Sequence, residues 1–138
     1  MLVEDSDDDA FFFERILRKS GFQHQLLRHE NGRDAMSYLE KTLIQSAGPR
    51  PALIFLDLKL PGVNGFELLQ WMSDRGIKTL LDVTILSGSD QPEDVLRAAS
   101  LGAPDYLVKP LRVEQLTERL NAWLARNHAE GVQRSASS

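Results

Sequence analysis

Residues 51–65 read Pro51-Ala-Leu-Ile-Phe-Leu-Asp57-Leu-Lys-Leu-Pro61-Gly-Val-Asn-Gly65. An apolar run from Ala52 to Leu56 meets a carboxylate and then a turn rich in Pro and Gly. A run of about five residues with that boundary reads as a buried strand rather than a helix. Because it is apolar on both faces, it suits the middle of a sheet covered on both sides. Asp57 then emerges at the C-terminal edge of the strand, where open α/β sheets bind their ligands. By itself such an acid is more often a turn or N-cap residue than a nucleophile. Its meaning depends on what other elements bring to the same edge.

Upstream, Met1-Leu2-Val3 is a short apolar run followed at once by Glu4-Asp5-Ser6-Asp7-Asp8-Asp9. Ala10, Phe12, Phe13, Ile16 and Leu17 then recur at helical spacing as far as Gly21. Asp7, Asp8 and Asp9 fall in the first turn, where they complement the helix dipole; Glu4 and Asp5 precede the helix and need another account. Gln25 to His29 predicts a second strand, Asn31-Gly32 a turn, and Ala35, Met36, Leu39 and Leu43 the buried stripe of a second helix. Ser46 to Pro51 is a loop. Downstream, Phe66, Leu68, Leu69 and Met72 mark a third helix ending near Gly76. Val83 to Leu86 is a strand closed by Ser87-Gly88-Ser89-Asp90. Pro92 opens a fourth helix, with Val95, Leu96 and Ala99 inward. Gly102 to Asp105 turns into a strand, Tyr106-Leu107-Val108, stopped by Lys109-Pro110. The last helix runs from about Val113 to Arg126 on Val113, Leu116, Leu120, Trp123 and Leu124. The chain therefore divides into a domain over 1–127 and a small, polar tail over 128–138, expected to be disordered.

The 138 residues fit one domain with a real core. The net charge of −4 supplies no electrostatic reason for nucleic-acid or bilayer binding. There is no cysteine, which excludes disulfides and thiol chemistry and accords with a cytoplasmic setting. No apolar run approaches the ~18 residues of a membrane span. His24, His29 and His128 are scattered, without ligand-pair spacing, and read as surface residues.

Strand and helix alternate five times. Parallel crossovers follow, and the sheet must be covered on both faces. The expected architecture is a doubly wound (βα)5, flavodoxin-like three-layer sandwich with strand order 2-1-3-4-5 and its switch point between strands one and three. In a parallel sheet all strand C-termini share one edge. Glu4 and Asp5, Asp57, Ser87 and Lys109 arrive there from four different strands. Two carboxylates about 5 Å apart repel by roughly 3 kcal/mol at an effective dielectric of about 20, so the cluster must bind protons or cations. An open, all-oxygen acidic site suits Mg²⁺, or Mn²⁺. A carboxylate, a divalent cation, an ammonium and a hydroxyl together point to phosphoryl transfer onto Asp57.

With those residues in view, the chain resembles a receiver domain of a two-component response regulator. The resemblance is carried by Leu2-Val-Glu-Asp5, by Leu56-Asp57-Leu-Lys-Leu-Pro61 with Gly65, by Ile85-Leu-Ser87-Gly88, and by Gly102-Ala-Pro-Asp-Tyr-Leu-Val-Lys109-Pro110. It implies that Asp57 is the phosphoacceptor for a sensor histidine kinase or a phosphotransfer protein. It implies that Asp5 and Asp57 ligate Mg²⁺, with Glu4 acting through water and the Lys59 carbonyl as a further ligand. Lys109 and Ser87 would bond the phosphoryl group, and the Lys109–Pro110 peptide would be cis. It also implies a switch, in which Ser87 moves towards the phosphoryl group and Tyr106 turns inward, altering helix four, strand five and helix five to control a downstream protein. On residue type alone, Tyr106 reads as an ordinary strand aromatic. No output domain is expected after helix five, so docking to a partner or homodimerisation is the expected mode of action. The segment Leu26-Leu-Arg-His-Glu-Asn-Gly32 and the loop before strand three are similar to small regulators paired with phytochrome-type kinases.

Three rival readings differ in one feature each. A haloacid-dehalogenase phosphatase needs an acid two residues after its Asp nucleophile, where this chain has Lys59. A flavodoxin needs a phosphate loop after strand one, where Glu4 and Asp5 would repel the phosphate. A pseudo-receiver that is never phosphorylated would not need the full set of Glu4, Asp5, Asp57, Ser87 and Lys109.

Overall fold

Two central strands decide how the chain packs. β3 (Leu53–Leu56) is buried at every residue, and β4 (Asp82–Ser87) is buried from Val83 onward. In the computed structural model, which describes residues 1–23, 25–46 and 53–137 and side chains as far as Arg126, they lie within a parallel five-stranded sheet. The other strands are β1 (Leu2–Val3), β2 (Arg28–His29) and β5 (Asp105–Val108), and the order is β2-β1-β3-β4-β5. The helices are α1 (Asp7–Lys19), α2 (Gly32–Leu39), α3 (Gly65–Asp74), α4 (Pro92–Ser100) and α5 (Val113–Ser137). A π-helical turn, Glu40–Ile44, extends α2, and a 3-10 turn, Lys78–Leu80, precedes β4.

Alternation along β3 sorts the core into two layers, because successive strand side chains point to opposite faces. Leu53 and Phe55 join Ala10, Phe13, Ile16, Leu17, Leu116 and Leu120 beneath α1 and α5. Ile54 and Leu56 join Ala35, Leu39, Leu68, Leu69, Met72 and Ala98 beneath α2, α3 and α4. The Phe13 and Phe55 rings lie 4.9 Å apart, tilted as aromatic quadrupoles prefer. At the opposite end from the acidic edge, buried Arg119 of α5 ties the sheet together. Its Nε donates to Thr84 Oγ1 at 2.8 Å, and its Nη2 lies 2.6 Å from Asp82 and 2.9 Å from Asp105. Arg126 also pairs with Asp82.

Each helix start is specified locally. Ser6, Asn31 and Asn64 accept the backbone N–H three residues on, at 3.2, 2.8 and 2.9 Å, as N-caps do. Pro92 opens α4 where a missing N–H costs nothing.

Several details differ from the sequence expectation. β2 is confined to Arg28 and His29, shorter than the 25–29 run. Phe12 and Leu124 are exposed, because their helices bury the adjacent Phe13, Leu116 and Leu120. In α4, Leu96 is 70% exposed and Ala99 is exposed, whereas Ala98 is fully buried. The buried face of α4 passes through Ala98 and the half-buried Val95 and Leu101, about 100° round from the expected stripe. His29 is half-buried rather than a surface residue. Helix α5 continues to Ser137, past the end expected near Asn127; its continuation carries the helix formers Ala129, Glu130, Gln133 and Arg134. The side chains of 127–138, His24 and residues 47–52, which include most of the expected loop and Ala52 of the expected strand, lie outside the described residues.

Candidate functional site

The sheet register places the acids together. Val3 of β1 pairs with Leu56 of β3, so the next residues, Glu4 and Asp57, leave adjacent strands at the same level. The Asp57 N–H donates to Val3 O at 3.1 Å, locking that level. Oxygens of Glu4, Asp5 and Asp57 lie within 4.8 Å of one another. Glu4 and Asp57 are buried and Asp5 is exposed, so the cluster opens to solvent on one side. Its oxygen-only donor set and open side fit a hard divalent cation that keeps part of its water shell.

Close packing holds Asp57 in place. Gly65 begins α3 so near the end of β3 that a Cβ there would lie 2.5 Å from Asp57 O and 2.7 Å from Leu58 Cα. The Gly65 N–H donates to Leu58 O at 3.0 Å, closing the Pro-Gly loop. Within that loop the Lys59 N–H donates to Asp57 Oδ1 at 3.1 Å, which fixes the carboxylate rotamer.

Lys109 arrives from the end of β5, its N–H bonded to Ser87 O at 2.8 Å and its peptide to Pro110 cis. Its ammonium donates to three carboxylates: Glu4 Oε1 at 2.5 Å, Asp9 Oδ2 at 2.8 Å and Asp57 Oδ2 at 3.1 Å. Burial alone would lower the lysine's pKa. The bonds to Asp9 and Glu4 and the charges of Asp57 and Glu4 outweigh it and hold Lys109 above its ordinary range, so it stays charged. Burial pushes the Glu4 carboxyl up to about 7, with the Asp57 charge adding to the rise and the Lys109 hydrogen bond opposing it. Even so, the acids at this edge outnumber its one ammonium.

Ser87 ends β4 fully buried, and its Oγ accepts the Ser89 N–H at 3.2 Å. The Ser89 hydroxyl donates to Asp94 Oδ2 at 2.5 Å, and the Ser89 carbonyl accepts the Tyr106 hydroxyl at 2.8 Å. Tyr106 is half-buried beside the loop that carries Ser87. The structure thus brings Glu4, Asp5, Asp57 and Lys109 into one cluster, with the Lys59 amide on Asp57 and with Ser87 and Tyr106 linked through Ser89. Sequence reasoning missed Asp9 as a partner of Lys109. The run Asp7-Asp8-Asp9 has a sufficient reading as first-turn acids, and only the tertiary approach of β5 singles out the third.

The response regulator receiver domain family matches residues 1–121. The chain belongs to that family. It is a receiver domain of a response regulator, a component of two-component signalling with the CheY-like doubly wound fold. It is 30% identical over 125 residues to protein PilH of Pseudomonas aeruginosa, covering 91% of this chain and 96% of PilH. It is 32% identical over 116 residues to response regulator Rcp1 of Synechocystis, covering 84% and 79%. The crystal structure of the Mn(2+)-bound form of Rcp1 superposes with a TM-score of 0.70 at 30% identity, covering 90% of this chain and 89% of that one. The bacteriophytochrome response regulator RtBRR superposes with a TM-score of 0.74 at 32% identity, covering 87% and 74%. Receiver domains take phosphoryl groups from histidine kinases and bind Mg²⁺ or Mn²⁺ at an acidic pocket, and the Glu4–Asp5–Asp57 cluster fits that pattern. Among the described residues no helix is long and apolar enough to cross a membrane.

Proposed function

We propose that this receiver domain accepts a phosphoryl group on Asp57 from a sensor histidine kinase or phosphotransfer protein, with Mg²⁺ or Mn²⁺ at Glu4, Asp5, Asp57 and the Lys59 carbonyl. The observation that carries the reading is the shared position of Asp57. Its carboxylate is bonded by the Lys59 amide and the Lys109 ammonium and lies within 4.8 Å of two further acids. In the transfer, an Asp57 oxygen forms a bond to phosphorus while the bond from phosphorus to the donor's imidazole nitrogen breaks. The imidazole keeps the electron pair and takes up a proton. The bound cation supplies neutralisation of charge on the phosphoryl oxygens. Lys109 donates to one of those oxygens, and Ser87 donates its hydroxyl to another.

The switch follows from the same contacts. Drawing the Ser87 hydroxyl to the phosphoryl group takes its Oγ from the Ser89 N–H, and Ser89 is the residue whose carbonyl holds Tyr106. A shift between two packings of this loop reorganises α4, β5 and α5, the surface that would control a downstream protein or form a homodimer. A cavity of about 520 Å³ lined by Lys109, Phe12, Phe13, Pro110 and Leu111 among others offers a donor protein an apolar hold beside the lysine that bonds Asp57. Likeness to the bacteriophytochrome response regulator RtBRR supports a phytochrome-type kinase as that donor.

Nuclear magnetic resonance with the phosphoryl mimic beryllofluoride tests the proposal. With Mg²⁺ present, amide resonances of Ser87 to Asp94, β5 and α5 shift in the wild type and stay in place in Asp57→Asn. Shifts confined to residues touching Asp57 would contradict the switch, and no shift at all would leave a binding module that is not phosphorylated.

A further inference from the structure

We infer that Asp9 is a positioning residue for Lys109, holding its ammonium at the rim of the site while a divalent cation takes Glu4 and Asp57. The inference rests on the cation-site reading above. An ammonium has three donors, and Lys109 spends them on Glu4, Asp9 and Asp57. Two of these acceptors, Glu4 and Asp57, belong to the acidic cluster; Asp9 does not. A cation drawn to the cluster therefore meets a lysine bonded to two of its three acids. The two positive groups repel and compete for the same oxygens. Asp9 is the one partner the lysine can keep.

Its placement suits that role. Asp9 lies in the first turn of α1, its N–H bonded to the Ser6 cap at 3.2 Å, so the carboxylate projects from a fixed backbone. It is half-exposed, so holding its charge costs little desolvation, whereas Glu4 is buried. The first-turn acids are not equivalent: Asp7 pairs with Arg28 at 2.9 Å, while Asp9 reaches Lys109 across the molecule. A dipole role would need only the charge of these acids, not the 2.8 Å contact.

The test is a double-mutant cycle read by isothermal titration with MgCl₂ at constant pH and ionic strength, on wild type, Asp9→Asn, Lys109→Met and the double variant. Asp9→Asn is expected to weaken Mg²⁺ binding about fivefold, the size reached by an ion pair between partly exposed groups. Asp9→Glu should restore most of the loss. In the Lys109→Met background, Asp9→Asn should change the affinity much less. Equal weakening in both backgrounds would reduce Asp9 to a diffuse field effect and overturn the inference, as would unchanged or tighter binding in Asp9→Asn. Failure of the wild type to bind Mg²⁺ would overturn the cation-site reading itself, and the inference with it.

Discussion

Glu4 and Asp57 show how one residue step decides a role. Both are ordinary acids in the sequence, and both join one acidic cluster because parallel pairing of Val3 with Leu56 puts them side by side at the strand ends. That was legible from the alternation of strands and helices, which fixes where each strand terminates. Asp9 and His29 were not legible, since their partners come from tertiary contact. His29 packs its ring 5.0 Å from that of Tyr38, and its Nε2 is buried without a hydrogen-bond partner among the described residues. Burial lowers its pKa below 6.5, outweighing the opposing charge of Asp34. As the pH falls through 6.5, the unfolded chain takes up the proton before the folded one, so His29 destabilises the fold on the acid side and is neutral to it above. Urea unfolding between about pH 7 and about pH 5 should show a smaller loss of stability in His29→Gln than in wild type. Parallel curves would show that His29 titrates alike in both states. Ser87→Ala makes a second prediction at this scale. It should slow Asp57 phosphorylation, which loses one hydrogen bond to the phosphoryl group, and abolish the beryllofluoride-induced shifts of β5 and α5, since on this proposal the coupling passes through the Ser87 hydroxyl.

Among the elements, α3 and α4 mark the two ends of what the pattern could convey. Of the expected α3 stripe, Leu68, Leu69 and Met72 are wholly buried and Phe66 half-buried, because α3 packs on the sheet through one unambiguous face. Helix α4 carries Val95, Leu96, Ala98 and Ala99, enough small apolar residues to permit two faces, and packing chose the one through Ala98. That choice leaves Leu96 in solvent on the surface proposed to switch. The junction of β3 and α3 depends on Gly65 for lack of space, not for backbone conformation. Gly65→Ala forces a Cβ into contact with Asp57 O and Leu58 Cα. It should lower stability by about 1–3 kcal/mol, the range for overpacking a tight contact, and should displace Asp57 enough to reduce phosphorylation. A thermal melt and a phosphorylation time course check both, and an unchanged melting temperature would mean that α3 shifts freely.

Across the whole molecule, the sheet carries its chemistry at one edge and a structural clamp at the other. Arg119 joins α5 to β4 and β5 through Asp82, Thr84 and Asp105. Removing one member of a buried pair costs about 3–5 kcal/mol; with Asp105 half in solvent, Arg119→Ala should cost about 2–3 kcal/mol in urea unfolding and leave Mg²⁺ affinity unchanged. A concurrent loss of Mg²⁺ binding would show that the two edges are coupled. The strand order and the acidic edge followed from the alternation of strands and helices read as a doubly wound sheet, whereas Arg119 stood in the sequence as a charge between the apolar Leu116 and Leu120. The account as a whole stands on phosphoryl transfer to Asp57. Intact-mass spectrometry after incubation with acetyl phosphate, with and without Mg²⁺, measures this directly in wild type and Asp57→Asn. The expected result is a Mg²⁺-dependent gain of one phosphoryl group in the wild type and none in the variant. A folded wild type that gains nothing with Mg²⁺, or a variant that gains the same mass, would contradict it.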